Sequence, residues 1–344
     1  MYRVTLSIPV YNVEKYVERA LLSALNQTFE SIEYLIVDDK GTDNSMDIVQ
    51  QIIASHSRGK DVRIIDHGIN QGLGAARNSA IKEAKGEYFY CMDSDDEITK
   101  DCIEILYNKM QENPVDFVCG SRDMIKLDGV IKKYKFINCI LENNWKIIDY
   151  QEKAVIPIPV YTWNKLYSLE FLRKNKIKCI PHHLSEDQIF TFLVLFYVNS
   201  CTLISDITYH YYENNSSLMG RLRLQKGYDY KLANEAKEVL DFQKDYIKLH
   251  THPYMLLICN RYILRMAGDC FNIIDSSAFS LIEKVNYIKQ YLNFRDFPIK
   301  FHDIKILKGK FYFLISIFPK YILYIMMYYI FFVKKIYSFL KSKL

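Results

Sequence analysis

The segment Tyr88-Phe89-Tyr90-Cys91-Met92-Asp93-Ser94-Asp95-Asp96 joins an apolar run to three carboxylates. The apolar run has the composition of a buried strand, and the acids stand at its carboxyl end, where open α/β sheets bind their ligands. Three like charges this close repel one another unless a cation lies among them. A hard divalent cation, held by oxygen ligands and shared with substrate phosphates, commonly fills that role. The segment therefore predicts a site for a metal-bound phosphate ester.

Strand and helix patterns alternate on both sides of this segment. Predicted strands cover residues 4–9, 32–37, 62–65 and 88–92, and predicted helices cover residues 14–27, 45–55, 75–85 and 99–111. This alternation is typical of βαβ units, and right-handed crossovers bring the strand ends to a common edge. We expect an α/β fold with a Rossmann-like, mostly parallel central sheet and flanking helices. After residue 221 the pattern is helical only, over residues 228–249 and 253–272.

The composition is that of a folded enzyme. Of the 344 residues, 50% are hydrophobic and 25% are charged, which argues against wholesale disorder. The eight cysteines are scattered without a paired CxxC spacing, so we expect reduced thiols in a cytosolic protein. The first residues predict a strand and not a secretory signal. Neither a GxGxxG fingerprint nor a GxxxxGK[ST] loop occurs, which argues against dinucleotide oxidoreductases and P-loop NTPases.

The net charge of +5 is unevenly distributed. Residues 301–344 carry eight lysines and one acid, a net charge of +7, so residues 1–300 carry −2. In this tail the apolar blocks 311–318 and 321–333 are each too short to span a bilayer, and Pro319 and Lys320 separate them. Lysines and tyrosines at their borders predict a segment that lies on an anionic membrane surface. A single kinked span and a helix pair packed on the rest of the protein are the alternatives. No nucleic-acid partner is expected.

Polar side chains follow the predicted strands. The first strand leads into Tyr11 and Asn12, the second ends in Asp38 and Asp39, and Arg77 lies in a glycine-bearing segment before the fourth. A carboxylate accepts from a base N–H or a sugar hydroxyl, an aromatic ring stacks, and arginine neutralises phosphate. These residue types predict a nucleotide as the ligand at this edge.

Five motifs, in this order, resemble the family 2 inverting glycosyltransferases of GT-A fold, of the bacterial surface-polysaccharide type. The motifs are Ser7-Ile8-Pro9-Val10-Tyr11-Asn12, Val37-Asp38-Asp39, Asn70-Gln71-Gly72 with Ala76-Arg77-Asn78, Asp93-Ser94-Asp95-Asp96 and Ser185-Glu186-Asp187. The resemblance implies a hexosyl- or N-acetylhexosaminyl-transferase. Its donor would be a nucleotide sugar, most often linked to UDP, and its acceptor a hydroxyl of a glycan or lipid-linked glycan.

The resemblance also assigns the donor site. Pro9, Tyr11, Asn12 and Asp39 would hold the base and ribose, and Arg77 would approach the ribose or a phosphate. The family commonly has a small residue where this chain has Lys40, next to the base pocket. The loop shape, and with it the preference for uridine, therefore depends on that lysine.

For the reaction itself, the resemblance makes Asp93 and Asp95 the DxD pair, with Asp95 the more direct ligand of Mn²⁺ or Mg²⁺. Asp93 would also contact the nucleotide sugar. Asp187 would be the general base of a single displacement. Trp163 and Lys165, in a Trp-Asn-Lys-Leu segment, would lie near the acceptor cleft.

Glu186 is grouped with the acceptor contacts. Chemistry alone does not choose between Glu186 and Asp187, because both open a predicted helix whose dipole keeps a carboxylate ionised.

Each motif has a simpler alternative. Carboxylates at a helix start are often caps, Trp163 is equally consistent with a core anchor, and His210 is consistent with a structural histidine as well as a metal or diphosphate contact. Ser216 and Arg221 are weaker site candidates. For the whole chain, the alternative is a non-catalytic nucleotide-sugar-binding protein of the same fold.

Three regions follow from these patterns. Residues 1–220 form the predicted GT-A nucleotide-sugar-binding and catalytic domain, residues 221–310 a helical region, and residues 311–344 the membrane-associating tail. The expected location is cytoplasmic, peripheral on the inner face of the cell membrane.

Overall fold

The structure is a computed structural model of the chain. It describes residues 2–181, 185–217, 220, 228–250, 255–294, 300–304 and 307–341. The chain divides into two compact units, Met1–Leu224 and Gln225–Leu344. The predicted boundary after residue 220 lies four residues before this division.

The first unit begins with four parallel strands joined by helices. The elements are β1 (Val4–Val10), α1 (Val17–Leu25), β2 (Ile32–Asp38), α2 (Ser45–Ser55), β3 (Val62–Asp66), α3 (Leu73–Glu83) and β4 (Tyr88–Cys91). Their strands lie in the order β3-β2-β1-β4 and all these pairs are parallel. The predicted α/β class and the four predicted strands are confirmed. β1 and β2 are buried along their whole length, as expected for parallel strands covered on both faces.

The second half of this unit is less regular. Its elements are β5 (Glu97–Ile98), α4 (Cys102–Glu112), β6 (Phe117–Ile125), β7 (Ile131–Tyr134), β8 (Cys139–Glu142), α5 (Asn144–Lys153), β9 (Lys165–Ser168), α6 (Leu169–Lys174), α7 (Glu186–Tyr197) and β10 (Ser200–Tyr212). β9 lies between β4 and β6 and is antiparallel to both, so β6 runs in the same direction as β4. β10 is parallel to β6, which extends the sheet beyond the part that the sequence predicted.

Amphipathic helices cover the sheet. α1 buries Val17, Ala20, Leu21, Ala24 and Leu25, which is the predicted apolar stripe at helical spacing. These side chains belong to one core with the inward residues of β1, β2 and β4. The core therefore fixes the strands whose carboxyl ends carry the polar motifs.

The second unit is helical in its described residues. Its helices are α8 (Tyr230–Leu249), α9 (Met255–Asp275), α10 (Leu281–Tyr291), α11 (Leu307–Ser316) and α12 (Lys320–Lys341). α10 begins with a capping box between Ser280 and Glu283. The predicted helical C-terminal region is confirmed.

The last helix is longer than the apolar block that predicted it. The block ends at residue 333, whereas α12 continues to Lys341. By length and composition, Lys320–Leu340 is a candidate membrane span. In its most apolar 18-residue stretch, 11% is buried. The block by itself is shorter than a bilayer core, whereas the helix that contains it is long enough to cross one.

Candidate active site

The sheet brings three of the motifs to one edge. Val10 pairs with Asp38, and Ser7 pairs with Cys91, so β1, β2 and β4 end side by side. The pairing of β4 continues one residue further, because the Met92 N–H donates to the Ser7 carbonyl over 3.0 Å. The acids after Met92 thus lie beside Asp38 and Asp39 at the carboxyl edge.

Arg77 connects this edge to the fifth motif. It lies on α3, is 3% exposed, and donates from Nη2 to Asp93 Oδ1 (2.8 Å) and from Nη1 to Glu186 Oε1 (2.7 Å). Burial disfavours its charge, but Asp93 and Glu186 more than compensate, so the pKa of Arg77 is raised well above its ordinary value. One buried cation therefore holds two carboxylates that are far apart in sequence.

Gly74 permits this arrangement. A Cβ at Gly74 would lie 2.2 Å from the Ile180 carbonyl oxygen and 3.1 Å from Glu186 Cβ. α3 can approach the start of α7 this closely because the residue there has no side chain. The glycine thereby brings Arg77 within hydrogen-bonding distance of Glu186.

The two acids that open α7 are mostly buried. Burial and the charge of Asp187 together raise the pKa of Glu186 to about 7, against the opposing effect of Arg77. Burial also raises the pKa of Asp187, while Arg77 and Lys165 lower it. The two carboxyls share one site and one set of charges, so they titrate as a pair. A carboxyl with a raised pKa is a stronger base than an ordinary aspartate.

The acidic cluster after β4 separates into two roles. Asp96 is structural, because its Oδ2 accepts from the Tyr209 hydroxyl (2.8 Å) and its Oδ1 from the Tyr212 N–H (2.8 Å). Asp95 accepts one longer hydrogen bond, from Asn214 Nδ2 (3.3 Å), and burial together with the charge of Asp93 raises its pKa to about 6. Asp95 is therefore the acid in the cluster whose carboxylate has the weakest hydrogen bonding to the described residues.

Asp93 and Asp95 fit a hard divalent cation, since both offer carboxylate oxygen. Within the described part of the chain, no three His, Cys, Asp or Glu side chains converge as a metal cluster. A cation here would need other oxygen ligands, such as substrate phosphates. His210 is engaged elsewhere, with Nδ1 lying 2.7 Å from Asp123 Oδ1.

Asp39 is enclosed by the loop before α3. Its Oδ1 contacts Gln71 N (2.8 Å) and His67 Nδ1 (2.7 Å), and its Oδ2 accepts from Gly72 N (2.9 Å) and Asn70 Nδ2 (3.1 Å). These contacts use the four acceptor positions of a carboxylate. A base N–H would therefore have to share an oxygen with this loop, and the role that the structure supports for Asp39 is to fix residues 67–72.

The other predicted nucleotide contacts lie at the end of β1. Pro9 is buried in β1, and Tyr11 is 43% exposed at its end. Asn12 has φ of 52°, and its Oδ1 accepts from Thr42 N (2.7 Å). Gly41 is required there, because a Cβ would lie 2.8 Å from both the backbone N and Oδ1 of Asn12.

Two predicted acceptor contacts are not on the surface. The Trp163 ring is stacked between Tyr161 (centroids 3.4 Å apart) and Tyr209 (4.2 Å), and the residue is 5% exposed. Lys165 is 1% exposed and donates to the Tyr161 carbonyl (2.5 Å). Both faces of the indole are covered and the ammonium group is enclosed, so the prediction that these side chains meet an acceptor directly is wrong in this structure.

Two residues of the site, Tyr209 and His67, had no signal in the sequence analysis. Tyr209 donates to Asp96 and accepts from Asp93 N (3.2 Å), and His67 orients Asp39. Lys40 Nζ contacts Asp38 Oδ2 (2.9 Å) and Asp66 Oδ2 (2.8 Å), which ties the ends of β2 and β3 together. Ser216 lies near the edge through Asn214, whereas Arg221 lies outside the described residues.

Comparison with known proteins identifies the family. The model of the family described as "Glycosyl transferase family 2" matches residues 5–175. Residues 5–175 belong to glycosyltransferase family 2. The matched range contains four of the five motifs, and the fifth begins at Ser185, beyond the end of the match at residue 175.

Family 2 relatives include bacterial proteins of several lengths. The chain is 35% identical over 214 residues to a poly(ribitol-phosphate) beta-glucosyltransferase of Bacillus spizizenii, a match that covers 61% of this chain and 32% of the relative. It is 30% identical over 225 residues to the putative glycosyltransferase EpsH of Bacillus subtilis, covering 63% of each. The chain thus spans less than two thirds of these relatives.

A solved structure has the same fold. Residues 1–349 of Staphylococcus aureus TarS, in complex with UDP-GlcNAc, superpose with a TM-score of 0.56 at 22% identity. The match covers 85% of this chain and 72% of the TarS chain. The GT-A fold predicted for this family 2 chain is confirmed.

Proposed function

We propose that this protein transfers a sugar from a nucleoside diphosphate donor to a hydroxyl of a glycan or lipid-linked acceptor, by a single displacement with inversion. The observation that carries the proposal is the link from Asp93 through Arg77 to Glu186. Through these two ion pairs, Arg77 joins the acids that follow β4 to the acids that open α7. Binding alone needs no second pair of carboxylates, whereas transfer needs a base for the acceptor hydroxyl.

Asp187 is the proposed base. Its raised pKa makes it a better proton acceptor than an exposed aspartate once ionised, and its place in the first turn of α7 favours the ionised form. Glu186 is engaged by Arg77, whereas none of the ion pairs among the described residues involves Asp187. Among the described groups of this site, Asp187 is therefore better suited to take the proton.

Asp93 and Asp95 are the proposed ligands of Mn²⁺ or Mg²⁺. Such a cation would stabilise the negative charge that develops on the leaving diphosphate. The chain's own contribution is to hold the two carboxylates: Arg77 fixes Asp93, and Asn214 contacts Asp95.

A UDP-linked donor is supported by the likeness of fold to TarS, whose crystal structures contain UDP-GlcNAc and UDP. In this chain Tyr11 offers an exposed ring at the end of β1, and Asn12 lies beside it. We propose these two residues, with Pro9 and the loop fixed by Asp39, as the base and ribose contacts.

The tail is the proposed contact with an anionic membrane on the cytoplasmic face. The apolar stretch 321–333 has 13 residues before Lys334 and Lys335, about 20 Å of helix against a bilayer core of about 30 Å. The exposed tyrosines and flanking lysines of α12 suit a helix lying in the interface.

A donor-hydrolysis screen tests the enzymatic proposal. Purified protein is incubated with a panel of nucleotide sugars, with Mn²⁺ or with EDTA, and release of the nucleoside diphosphate is measured. We expect turnover of at least one donor that is abolished by EDTA and strongly reduced in Asp95→Asn. The matched control is Asp149→Asn, an acid on α5 that pairs with Lys153 on the surface.

Two results would contradict the proposal. Absence of metal-dependent turnover with every donor would remove the enzymatic function. Binding of a donor without turnover, also when the family's acceptor types are supplied, would favour the non-catalytic nucleotide-sugar-binding protein.

A further inference from the structure

The β6–β7 hairpin leaves the sheet at the edge that carries the acids. β9 is antiparallel to both β4 and β6, so β6 runs in the direction of β4 and its carboxyl end lies at the same edge. The carbonyl of Ile125, the last residue of β6, accepts from Glu213 N over 2.8 Å, and the next residue, Asn214, contacts Asp95. The turn after Ile125 therefore begins close to the proposed metal ligands.

The turn between the two strands is closed by its own hydrogen bonds. Lys126 N donates to the Val130 carbonyl (3.0 Å), and Gly129 N donates to the Lys126 carbonyl (2.9 Å). Asp128 Oδ1 accepts from Val130 N (3.0 Å). Gly129 has φ of 81°, and no described atom beyond its chain neighbours lies within 4 Å of the position that a Cβ would take there. The turn is thus ordered, and at Gly129 it faces open space.

Three aliphatic side chains of this turn are exposed. Leu127 is 59% exposed, Val130 is 52% exposed and Ile131 is 57% exposed. We call these three residues the apolar tip. Aliphatic surface held in water is unfavourable, and a contiguous exposed patch of it commonly marks a contact with a protein or a membrane.

Lysines flank the apolar tip. Residues 126–135 contain four lysines and one acid, Asp128, a net charge of +3, whereas residues 1–300 as a whole sum to −2. None of the ion pairs among the described residues involves Lys126, Lys132, Lys133 or Lys135. The hairpin therefore combines an aliphatic tip with positive charge that the described acids do not pair.

We propose that the apolar tip and its flanking lysines dock the catalytic edge of the first unit on an anionic membrane. The lysines contact anionic headgroups, and the aliphatic side chains enter the boundary between headgroups and acyl chains. This contact is separate from the tail, which belongs to the second unit. The inference rests on the proposed transfer to a lipid-linked acceptor, because such a contact brings that acceptor to the acids.

Two other occupants use the hairpin less completely. A soluble anionic chain would pair with the lysines but would leave the aliphatic side chains in water. A protein interface commonly centres on Trp, Tyr or Arg, with Leu and Val under-represented, and none of the three tip residues is of the enriched types. A membrane is the occupant that uses both the charge and the aliphatic surface.

The fluorescence of an added tryptophan tests whether the tip enters a bilayer. Val130→Trp is compared, in the full chain, with Asn113→Trp, an exposed position that precedes β6 at the opposite end of the same strand. The wild type, which contains Trp145 and Trp163, gives the background. With vesicles of phosphatidylserine and brominated phosphatidylcholine, the emission added by Val130→Trp should shift to the blue and be quenched. The emission added by Asn113→Trp should do neither.

Vesicle co-sedimentation then measures what each part of the hairpin contributes. Leu127→Ser with Val130→Ser should raise the Kd for anionic vesicles at least about tenfold, equivalent to about 1.4 kcal/mol, because two aliphatic contacts with the bilayer are lost. Lys132→Gln with Lys133→Gln should raise Kd by about the same factor, and this effect should shrink as the salt concentration rises.

Matched controls separate the hairpin from the rest of the surface. Leu281→Ser with Ile282→Ser removes aliphatic side chains of similar exposure from α10. Lys60→Gln with Lys85→Gln removes exposed lysines that precede β3 and β4 at the opposite edge of the sheet. Each control should change Kd by less than about twofold. Circular dichroism and thermal melting confirm that each variant is folded, and Leu127→Trp replaces Val130→Trp if the latter is not.

Four results overturn the inference: no vesicle binding by the wild type, no quenching in Val130→Trp, an unchanged Kd in the aliphatic variant, or an equal loss in the controls. A loss in the lysine variant alone would assign the hairpin to a soluble anion. Quenching in Val130→Trp should persist when Ile325→Ser and Tyr329→Ser weaken the tail, and its disappearance would show that the tip does not dock by itself. No donor is present, so failure of the transfer proposal, measured by donor hydrolysis, is distinguishable from failure of this one.

Discussion

Arg77 donates a 2.7 Å hydrogen bond to Glu186, a residue 109 positions later in the chain. Both side chains are almost fully buried, and the second end of the guanidinium holds Asp93. Buried charges are stable only when paired and hydrogen-bonded. The site therefore depends on one arginine to keep two acids of separate motifs in place.

Removing that arginine should destabilise the protein strongly. In Arg77→Met, Asp93 and Glu186 lose their shared cation, and breaking a buried pair in this way costs about 3–5 kcal/mol. Chemical denaturation of both proteins measures the change in the free energy of unfolding. The control is Lys109→Met, which breaks a surface pair with Glu112 and should cost at most about 1 kcal/mol. Equal effects of the two substitutions would show that the Arg77 link contributes no more than a surface pair.

Asp187→Asn should lower kcat about 10²–10⁴-fold, the usual contribution of a general base, with little change in the KM for the donor. Steady-state transfer to the true acceptor is the measurement, with Asp149→Asn as the matched control. Retained transfer in Asp187→Asn would remove the base assignment and leave donor binding unaffected.

The acid limb of the kcat/KM profile should lie above the ordinary aspartate pKa of 3.8, because burial raises the pKa of Asp187. Activity should therefore fall as the pH drops through that raised value and the base becomes protonated. In Glu186→Gln one of two coupled negative charges is lost, and the limb should move to lower pH. A limb that stays fixed in Glu186→Gln would argue against coupling between the two carboxyls.

Because of Lys165, the free energy of unfolding should depend on pH in the alkaline range. Burial lowers its pKa from 10.5 to about 8, so between these values the unfolded chain holds a proton that the folded protein has released. The free energy of unfolding contributed by this group should therefore rise with pH across that window, by up to about 1.4 kcal/mol per pH unit. Denaturation at a series of pH values, compared with Lys165→Met, isolates this effect. Parallel pH dependences in the two proteins would contradict it.

The exposed face of α12 should bind anionic vesicles. Ile325 and Tyr329 are 65% and 69% exposed, and burying such side chains in the interface contributes about 1.5–3 kcal/mol each. Ile325→Ser with Tyr329→Ser should therefore weaken binding to phosphatidylserine vesicles about tenfold or more in a flotation assay. The control is Leu281→Ser with Ile282→Ser, a pair on α10 of similar exposure. A chain ending at Lys308 gives the background, and vesicle binding by the full chain no greater than that background would exclude the interfacial tail.

The four parallel strands and the acids at their ends could be predicted because each is encoded locally. The apolar stripe of α1 and the largely apolar runs of β1 and β2 define their elements without reference to other parts of the chain. The strands β5 to β10 were missed, because several are short, exposed or irregular, and β10 contains register shifts against β6. Local periodicity carries little information on such strands.

The sequence by itself determined the fold class, the order of the motifs and which carboxylates stand at strand ends, since these follow from side-chain periodicity and residue chemistry. The tertiary structure decided how those groups are used. The four contacts on Asp39, the stacking that encloses Trp163 and the bridge from Asp93 through Arg77 to Glu186 all join distant parts of the chain. They depend on the packing of α3 against the start of α7 and on the insertion of β9 beside β4, which no local pattern specifies.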